Sequence, residues 1–291
     1  MSRPAAGGPS TGSYVLVVLA LTNLVSYATR NALFAVYPAL AARYHIDDAE
    51  LGLLQTVFML PHAAATLGFG WAGDHFDRRR VIAAGMILAS AAGAAGAAGE
   101  SYLGLAASRA LVGLGTAAVV PVANSILGQL YDGPAKASRI SIFNLGLFLG
   151  GVTGFAAGSA LGFPLVALAL AVPGVVLSVI VAVLPMPPPV LPPAQARAPG
   201  AASLRSVARQ FGADARVLLR IPTLRWVIAS ATMMAFAAGG YNAWLKEFLV
   251  RDRGMTEEAA TTLLALSLCS GVSGILVGGR ISDRLARRAA A

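Results

Sequence analysis

The chain has 291 residues, of which 57% are hydrophobic and only 12% charged, with a formal net charge of +9. Soluble domains carry roughly twice that charged fraction, so a soluble globular fold is excluded, as are disorder, collagen-like repetition and a disulfide-rich secreted scaffold. An all-α, polytopic membrane protein remains. The single cysteine, Cys269, permits no intrachain disulfide. The basic residues are almost all arginine, beside abundant Ala and Gly, which points to a GC-rich, bacterial coding background.

A bilayer-crossing helix needs about 20 mostly apolar residues. After a polar segment at 1–13, that rule predicts spans at 14–38, 50–71, 81–99, 102–129, 139–161 and 164–184, then at 225–246 and 258–279. The first is too long for a signal-peptide core and contains Arg30, so it is read as a true span. In the fifth, Gly146, Gly150, Gly154 and Gly158 recur every four residues and predict a small-residue face for close helix contact. Lys246 and Glu247 are expected to close the seventh span at the outer interface.

Residues 185–224 interrupt the series. Pro185, Pro187, Pro188, Pro189, Pro192, Pro193 and Pro199 cannot continue a helix and predict an extended linker. Residues 203–221 then restore helical spacing, with Leu204, Val207, Phe211, Val217 and Leu218 opposite Arg205, Arg209 and Arg216. That is the pattern of a basic amphipathic helix lying on the inner leaflet. The expected organisation is a cytoplasmic N-terminus (1–13), a six-helix bundle (14–184), a cytoplasmic linker (185–224) and a two-span partial bundle (225–291).

Arginine and lysine in the connecting segments set orientation. With the N-terminus inside, the inner segments hold Arg3, Arg78–Arg80, Lys136, Arg139, the arginines between 197 and 225, and Arg280, Arg284, Arg287 and Arg288. The outer segments hold only Arg43, Lys246, Arg251 and Arg253. Both ends of the chain are therefore expected in the cytoplasm, with the inner membrane of the cell as location. The positive charge is a topogenic and lipid-facing signal, and no nucleic-acid partner is implied.

The second span ends in Gly70-Trp71-Ala72-Gly73-Asp74-His75-Phe76-Asp77-Arg78-Arg79, and the eighth in Gly279-Arg280-Ile281-Ser282-Asp283-Arg284-Leu285-Ala286-Arg287-Arg288. Both read G-x-x-x-D-x-x-x-R-R at equivalent places in two halves. The fourth span carries Arg109-Ala110-Leu111-Val112-Gly113-Leu114-Gly115-Thr116-Ala117, or R-x-x-x-G-x-G-x-A. These signatures resemble those of the major facilitator superfamily (MFS), whose two six-span halves are related by a parallel repeat. Ser26–Arg30, Gly52–Phe58 and Ser138–Phe143 look like its Spinster-type branch, which includes exporters of lysolipids and sphingoid phosphates.

The resemblance implies a complete N-terminal six-helix bundle followed by the first two helices of a second bundle. It also implies a secondary active transporter working by alternating access, whose substrate is a small organic or amphiphilic, lysolipid-like anion. The family plan expects four further spans after the chain's final Arg287-Arg288-Ala289-Ala290-Ala291. That leaves open a fragment of a twelve-span carrier or a truncated, non-transporting membrane protein with a scaffold or regulatory role.

In this reading the loop signature is a latch: Asp74 neutralises a helix N-terminus of the opposite half and pairs with its own loop arginines, while Gly70 and Gly73 let backbones approach. Arg78 and Arg79 complete it, with Gly279, Asp283, Arg287 and Arg288 as its repeat. Charged groups inside a span are costly and mark functional sites, so Arg30 and Arg109 lead the candidates for the substrate cavity. Asn23 and Tyr27 share the stripe of Arg30, and Asn124, Tyr241 and Trp244 are further lining candidates.

The Spinster-like pattern has acids where this chain has Thr29 and Thr116, and no Asp or Glu lies in the middle of a span. Proton coupling is thereby weakened, and the coupling ion is open. His62 is the one intramembrane group that titrates near neutrality, a candidate for proton handling that also fits plain helix packing. The histidines are scattered, and neither a nucleophile elbow nor a phosphate-binding loop occurs. No enzyme activity, cofactor or metal is expected; the partners are membrane lipids and a small-molecule substrate.

Overall fold

The computed structural model describes residues 9–131, 136–185, 212, 216–217 and 219–289. The ordered elements are helices: α1 (Pro9–Ala35), α2 (Tyr37–Tyr44), α3 (Asp48–His75), α4 (Arg78–Ala98), α5 (Tyr102–Thr116), α6 (Val119–Leu130), α7 (Lys136–Leu161), α8 (Leu165–Val183), α9 (Pro222–Arg251) and α10 (Glu257–Ala289). Among the described residues six segments are long and apolar enough to cross a membrane, α5 and α6 counting as one. They match the six expected spans of the first bundle. α9 and α10 cover the seventh and eighth. The Pro-rich linker and most of the amphipathic helix expected over 203–221 lie outside the described residues.

Several boundaries differ from the sequence expectation, each for a local reason. Span 4 is two helices, because Pro121 offers no N–H to the Ala117 carbonyl and its ring crowds that turn. The break at Ala117 and Ala118 is closed instead by Ala117 N–H donating to Gly113 O (3.3 Å) and Ala118 N–H to Gly115 O (3.3 Å). Span 1 stops at Ala35 and is followed by the short α2, which carries Pro38 in its first turn and ends at His45 in the left-handed region, φ 54°. α4 begins at Arg78, earlier than expected, because Asp77 caps it.

α3 is opened by a capping box. Glu50 N–H donates to Asp47 Oδ1 (2.8 Å), and Asp47 N–H donates to Glu50 Oε2 (3.1 Å), satisfying two orphan donors at once. α9 runs on past Lys246 and Glu247 to Arg251. Lys246 is buried and paired with Glu257 at 3.3 Å, and Glu247 pairs with Arg251 one turn on at 2.9 Å. Pairing lets these charges sit within or beside helices without an orphan ion.

The chain divides into two compact units, Met1–Val190 with Ser267–Ala291, and Leu191–Leu266. In the first, α7 lies along α1 through its glycine face. A Cβ on Gly146 would stand 2.7 Å from Ala20 O, and one on Gly158 2.6 Å from Ala32 O, while those on Gly150 and Gly154 would run into Leu24 O and Ala28 O. The glycine stripe is thus a packing surface, as its spacing predicted. The main core, with Leu19, Met86, Ile126, Phe143 and Val181, joins α1, α4, α6, α7 and α8. A smaller cluster of Phe58, Ala89, Ala92 and Val112 joins α3, α4 and α5.

Candidate functional site

Arg30 on α1 and Arg109 on α5 converge on one ring, that of Phe58 on α3. Their guanidinium carbons lie 5.6 Å and 4.8 Å from its centroid. Arg30 also stands 5.9 Å from the ring of Tyr27, one turn back on its own helix. Cation–π attraction of this kind is strongest where water is excluded. Phe58 is fully buried, Arg109 is 5% exposed, and Arg30 is half-buried.

The convergence depends on Gly113. A Cβ there would run into the Phe58 carbonyl oxygen, so only glycine lets α3 and α5 touch backbone to backbone at this level. One turn along α3, His62 stacks on Phe58 with centroids 5.4 Å apart and planes 17° apart. Its Nδ1–H donates to Gly113 O (3.0 Å), and Thr116 Oγ1 lies 3.3 Å from the same nitrogen. Thr116 itself donates to Val112 O at 2.9 Å. His62 is therefore tied into the α3–α5 contact, the arrangement expected of a packing histidine.

Of the other cavity candidates, Asn23 and Asn124 lie in the first unit and Tyr241 and Trp244 in the second. Asn23 is 1% exposed and donates through Nδ2 to Phe143 O on α7 at 3.1 Å, with no partner for its Oδ1 among the described residues. Asn124 is exposed on α6. Tyr241, 51% exposed, and Trp244 belong to α9 in the second unit. Sequence reasoning missed the organising role of Phe58; its i,i+4 spacing from His62 on the span facing R-x-x-x-G was the available signal.

The loop signature after α3 has a definite internal geometry. Arg78 is 2% exposed; its Nε donates to Gly73 O (3.0 Å), Nη1 to Gln129 Oε1 (2.9 Å) and Nη2 to Ser125 Oγ (3.0 Å). It thus caps the Gly73 carbonyl near the end of α3 and ties it to α6. Asp74 is 55% exposed and, among the described residues, its ion-pair partner is Arg78, at 3.8 Å. Arg79 instead grips Asp77 through Nε (3.1 Å) and Nη2 (2.9 Å). Gly73 admits Val122, whose Cγ2 would lie 2.8 Å from an added Cβ, whereas Gly70 faces open space. The side chains of Gly279, Asp283, Arg287 and Arg288, expected to repeat this signature, lie outside the described residues.

The Arg79 side chain bonded to Asp77 holds that carboxyl below the usual carboxylate range, helped by the Arg79 N–H and the charges of Arg79 and Arg80 and opposed by burial. A depressed carboxylate stabilises the fold above its unfolded pKa of about 4 and loses that contribution as pH falls through the lower folded value. Thermal stability should therefore fall as pH is lowered below about 4. Asp77→Asn, which keeps a capping oxygen, should flatten that part of the profile; melting curves recorded across the range test this.

A family model described as Major Facilitator Superfamily matches residues 19–291. Protein spinster homolog 1 of Homo sapiens is 28% identical over 296 residues, covering 95% of this chain and 56% of that protein. Protein spinster homolog 3 of Danio rerio is 29% identical, covering 95% and 58%. The sphingosine-1-phosphate transporter SPNS2 of Danio rerio is 23% identical, covering 93% and 56%. The chain thus spans just over half the length of these relatives. Its fold is similar to the crystal structure of a bacterial homologue of the human lysosomal transporter spinster in an inward-facing, unoccupied conformation. That likeness has a TM-score of 0.72 at 24% identity and covers 97% of this chain and 64% of that one. With a six-span helical unit, two further helices and the family match over nearly all its length, the chain belongs to the major facilitator superfamily.

Proposed function

We propose that this chain contributes to a secondary active transporter that works by alternating access and moves an amphiphilic organic anion. The observation that carries the reading is the pair Arg30 and Arg109 around Phe58, two cations inside a bundle whose spans hold no central carboxylate. A guanidinium offers a planar fork to a phosphate or carboxylate, and half-buried Arg30 is the group that meets the headgroup. Tyr27 flanks it, and Asn23 fixes the neighbouring turn of α1. The SPNS2 relative, which transports sphingosine-1-phosphate by its name, supports a phosphate-headed substrate.

The charge distribution supports an inner-membrane protein with its basic segments, including Arg78–Arg80, in the cytoplasm. In this mechanism exposed Asp74 latches one closed state by meeting a helix N-terminus of the other half. Asp283 plays the equivalent part in the repeat. His62, bonded through Nδ1 to Gly113 O, packs α3 against α5. The linker at 185–224 joins the six-span bundle to the second half.

The test is flux of a fluorescent lysophosphatidate across proteoliposomes containing the chain. Arg30→Ala should lower flux by about 10–100-fold, the loss of one charge-assisted contact, while circular dichroism stays native. Flux unchanged in the combined Arg30→Ala, Asp74→Asn protein would overturn the proposal.

A further inference from the structure

Arg109 is 5% exposed, and neither its Nε nor its Nη2 has a hydrogen-bond acceptor among the described residues. Those two atoms have almost no accessible surface, so a ligand does not reach them. Among the described residues no carboxylate pairs with Arg109 or with Arg30. Arg109 is thus a buried cation without a counter-charge. What it does to an anion it does through its field.

The geometry carries that field to Arg30. Both guanidinium carbons stand over the Phe58 ring, 4.8 Å and 5.6 Å from its centroid, so they are at most about 10 Å apart. The ring itself is fully buried, and the space it fills holds no water to screen the interaction. Half-buried Arg30 is the guanidinium that a ligand can reach. An anion on it would feel Arg109 at roughly 10–14 Å, which at an effective dielectric constant of about 20 is worth about tenfold in affinity for each unit of anion charge. Contact with Arg30 depends on the oxygens of the headgroup, whereas this second contribution depends on its net charge.

We propose that Arg109 is a specificity-determining residue that acts without touching substrate. It is a fixed cation beside Phe58 that makes the site prefer a doubly charged headgroup, the dianion of a phosphate monoester, over a singly charged one. The inference rests on the assignment of the headgroup to Arg30. Two cations with no central carboxylate leave two charges to be neutralised. A phosphate monoester brings nearly that number, and a carboxylate or a sulfate ester brings one.

The experiment is equilibrium binding of octyl phosphate and octyl sulfate to the chain in nanodiscs of neutral lipid at pH 8. Both present tetrahedral oxygens, but the first is doubly and the second singly charged. The unaltered chain should bind the phosphate at least about tenfold more tightly. Arg109→Leu should weaken the sulfate about tenfold and the phosphate about a hundredfold, so that the preference falls about tenfold. Damage to the fold would weaken both alike and leave their ratio unchanged. Leucine fills the buried site with apolar volume, a replacement that buried charges often tolerate, and Arg109→Gln gives the same readout in a polar side chain. In the unaltered chain the preference should persist from about 0.05 to 0.3 M potassium gluconate, because salt screens buried charges far less than exposed ones. A preference that is erased by salt, or that is unchanged in Arg109→Leu or Arg109→Gln, overturns the proposal and leaves the role of Arg30 standing. Failure of the unaltered chain to bind either ester overturns both together.

Discussion

Replacing Arg78 by alanine is expected to cost the first unit about 3–5 kcal/mol, the range seen when a buried, fully bonded charge network is broken. Arg78 is 2% exposed and donates to three acceptors on two helices. Its removal leaves the Gly73 carbonyl, Gln129 and Ser125 without their donor and opens a void where α3 meets α6. Charge-assisted bonds of this kind contribute about 1.5–3 kcal/mol each, though not additively. Lysine would not rescue it, since an ammonium cannot spread three donors across that fork. Melting of the purified protein in detergent should show a loss of stability in Arg78→Ala and Arg78→Lys and almost none in Arg79→Ala. Arg79 bonds one carboxylate at a solvated turn, where ion pairs add little. Equally small effects at 78 and 79 would mean that the basic run is topogenic decoration only.

The second large effect is expected at the α1–α7 contact. A Cβ on Gly154 would run into Ala28 O and lie 2.6 Å from its Cα, and both are backbone atoms that cannot rotate away. Gly154→Leu must push the helices apart along the glycine stripe. Overpacking alone costs about 1–3 kcal/mol, and separating the helices adds the lost dispersion contacts, the main source of helix association in a bilayer. Gly154→Leu should fail to accumulate as monodisperse protein by size-exclusion chromatography. Gly70→Ala, with no atom within 4 Å of the added carbon, should change stability by no more than about 1 kcal/mol. A well-behaved Gly154→Leu protein would show that α1 and α7 are held from elsewhere.

These contrasts show where sequence and structure part. Hydropathy runs placed the six spans of the first bundle, and the two loop signatures with R-x-x-x-G-x-G placed the chain in its family. The every-fourth glycine stripe correctly predicted a packing face, because 3.6 residues per turn puts those positions on one side of a helix whatever the partner is. Nothing in the sequence said that the partner is α1, since that pairing joins residues more than a hundred positions apart. Nor could periodicity place the break in span 4, where Pro121 acts together with the local turn at Ala117 and Ala118.

At the site, composition alone marked Arg30 and Arg109, because a charge within an apolar span has few bland explanations. Only the tertiary structure brought both to Phe58, and it did so through Gly113, which lets α3 and α5 come close enough to share a ring. The loop arginines make the same point: Arg78 and Arg79 are adjacent and chemically identical in the sequence. The helix start at Arg78 turns one inward, under the end of α3, and leaves the next on Asp77. What the sequence determined by itself is solvation: which segments enter lipid, and which charges are out of place there. Which of those charges find a partner was decided by helix packing, because a partner is a matter of distance and direction that linear order does not encode.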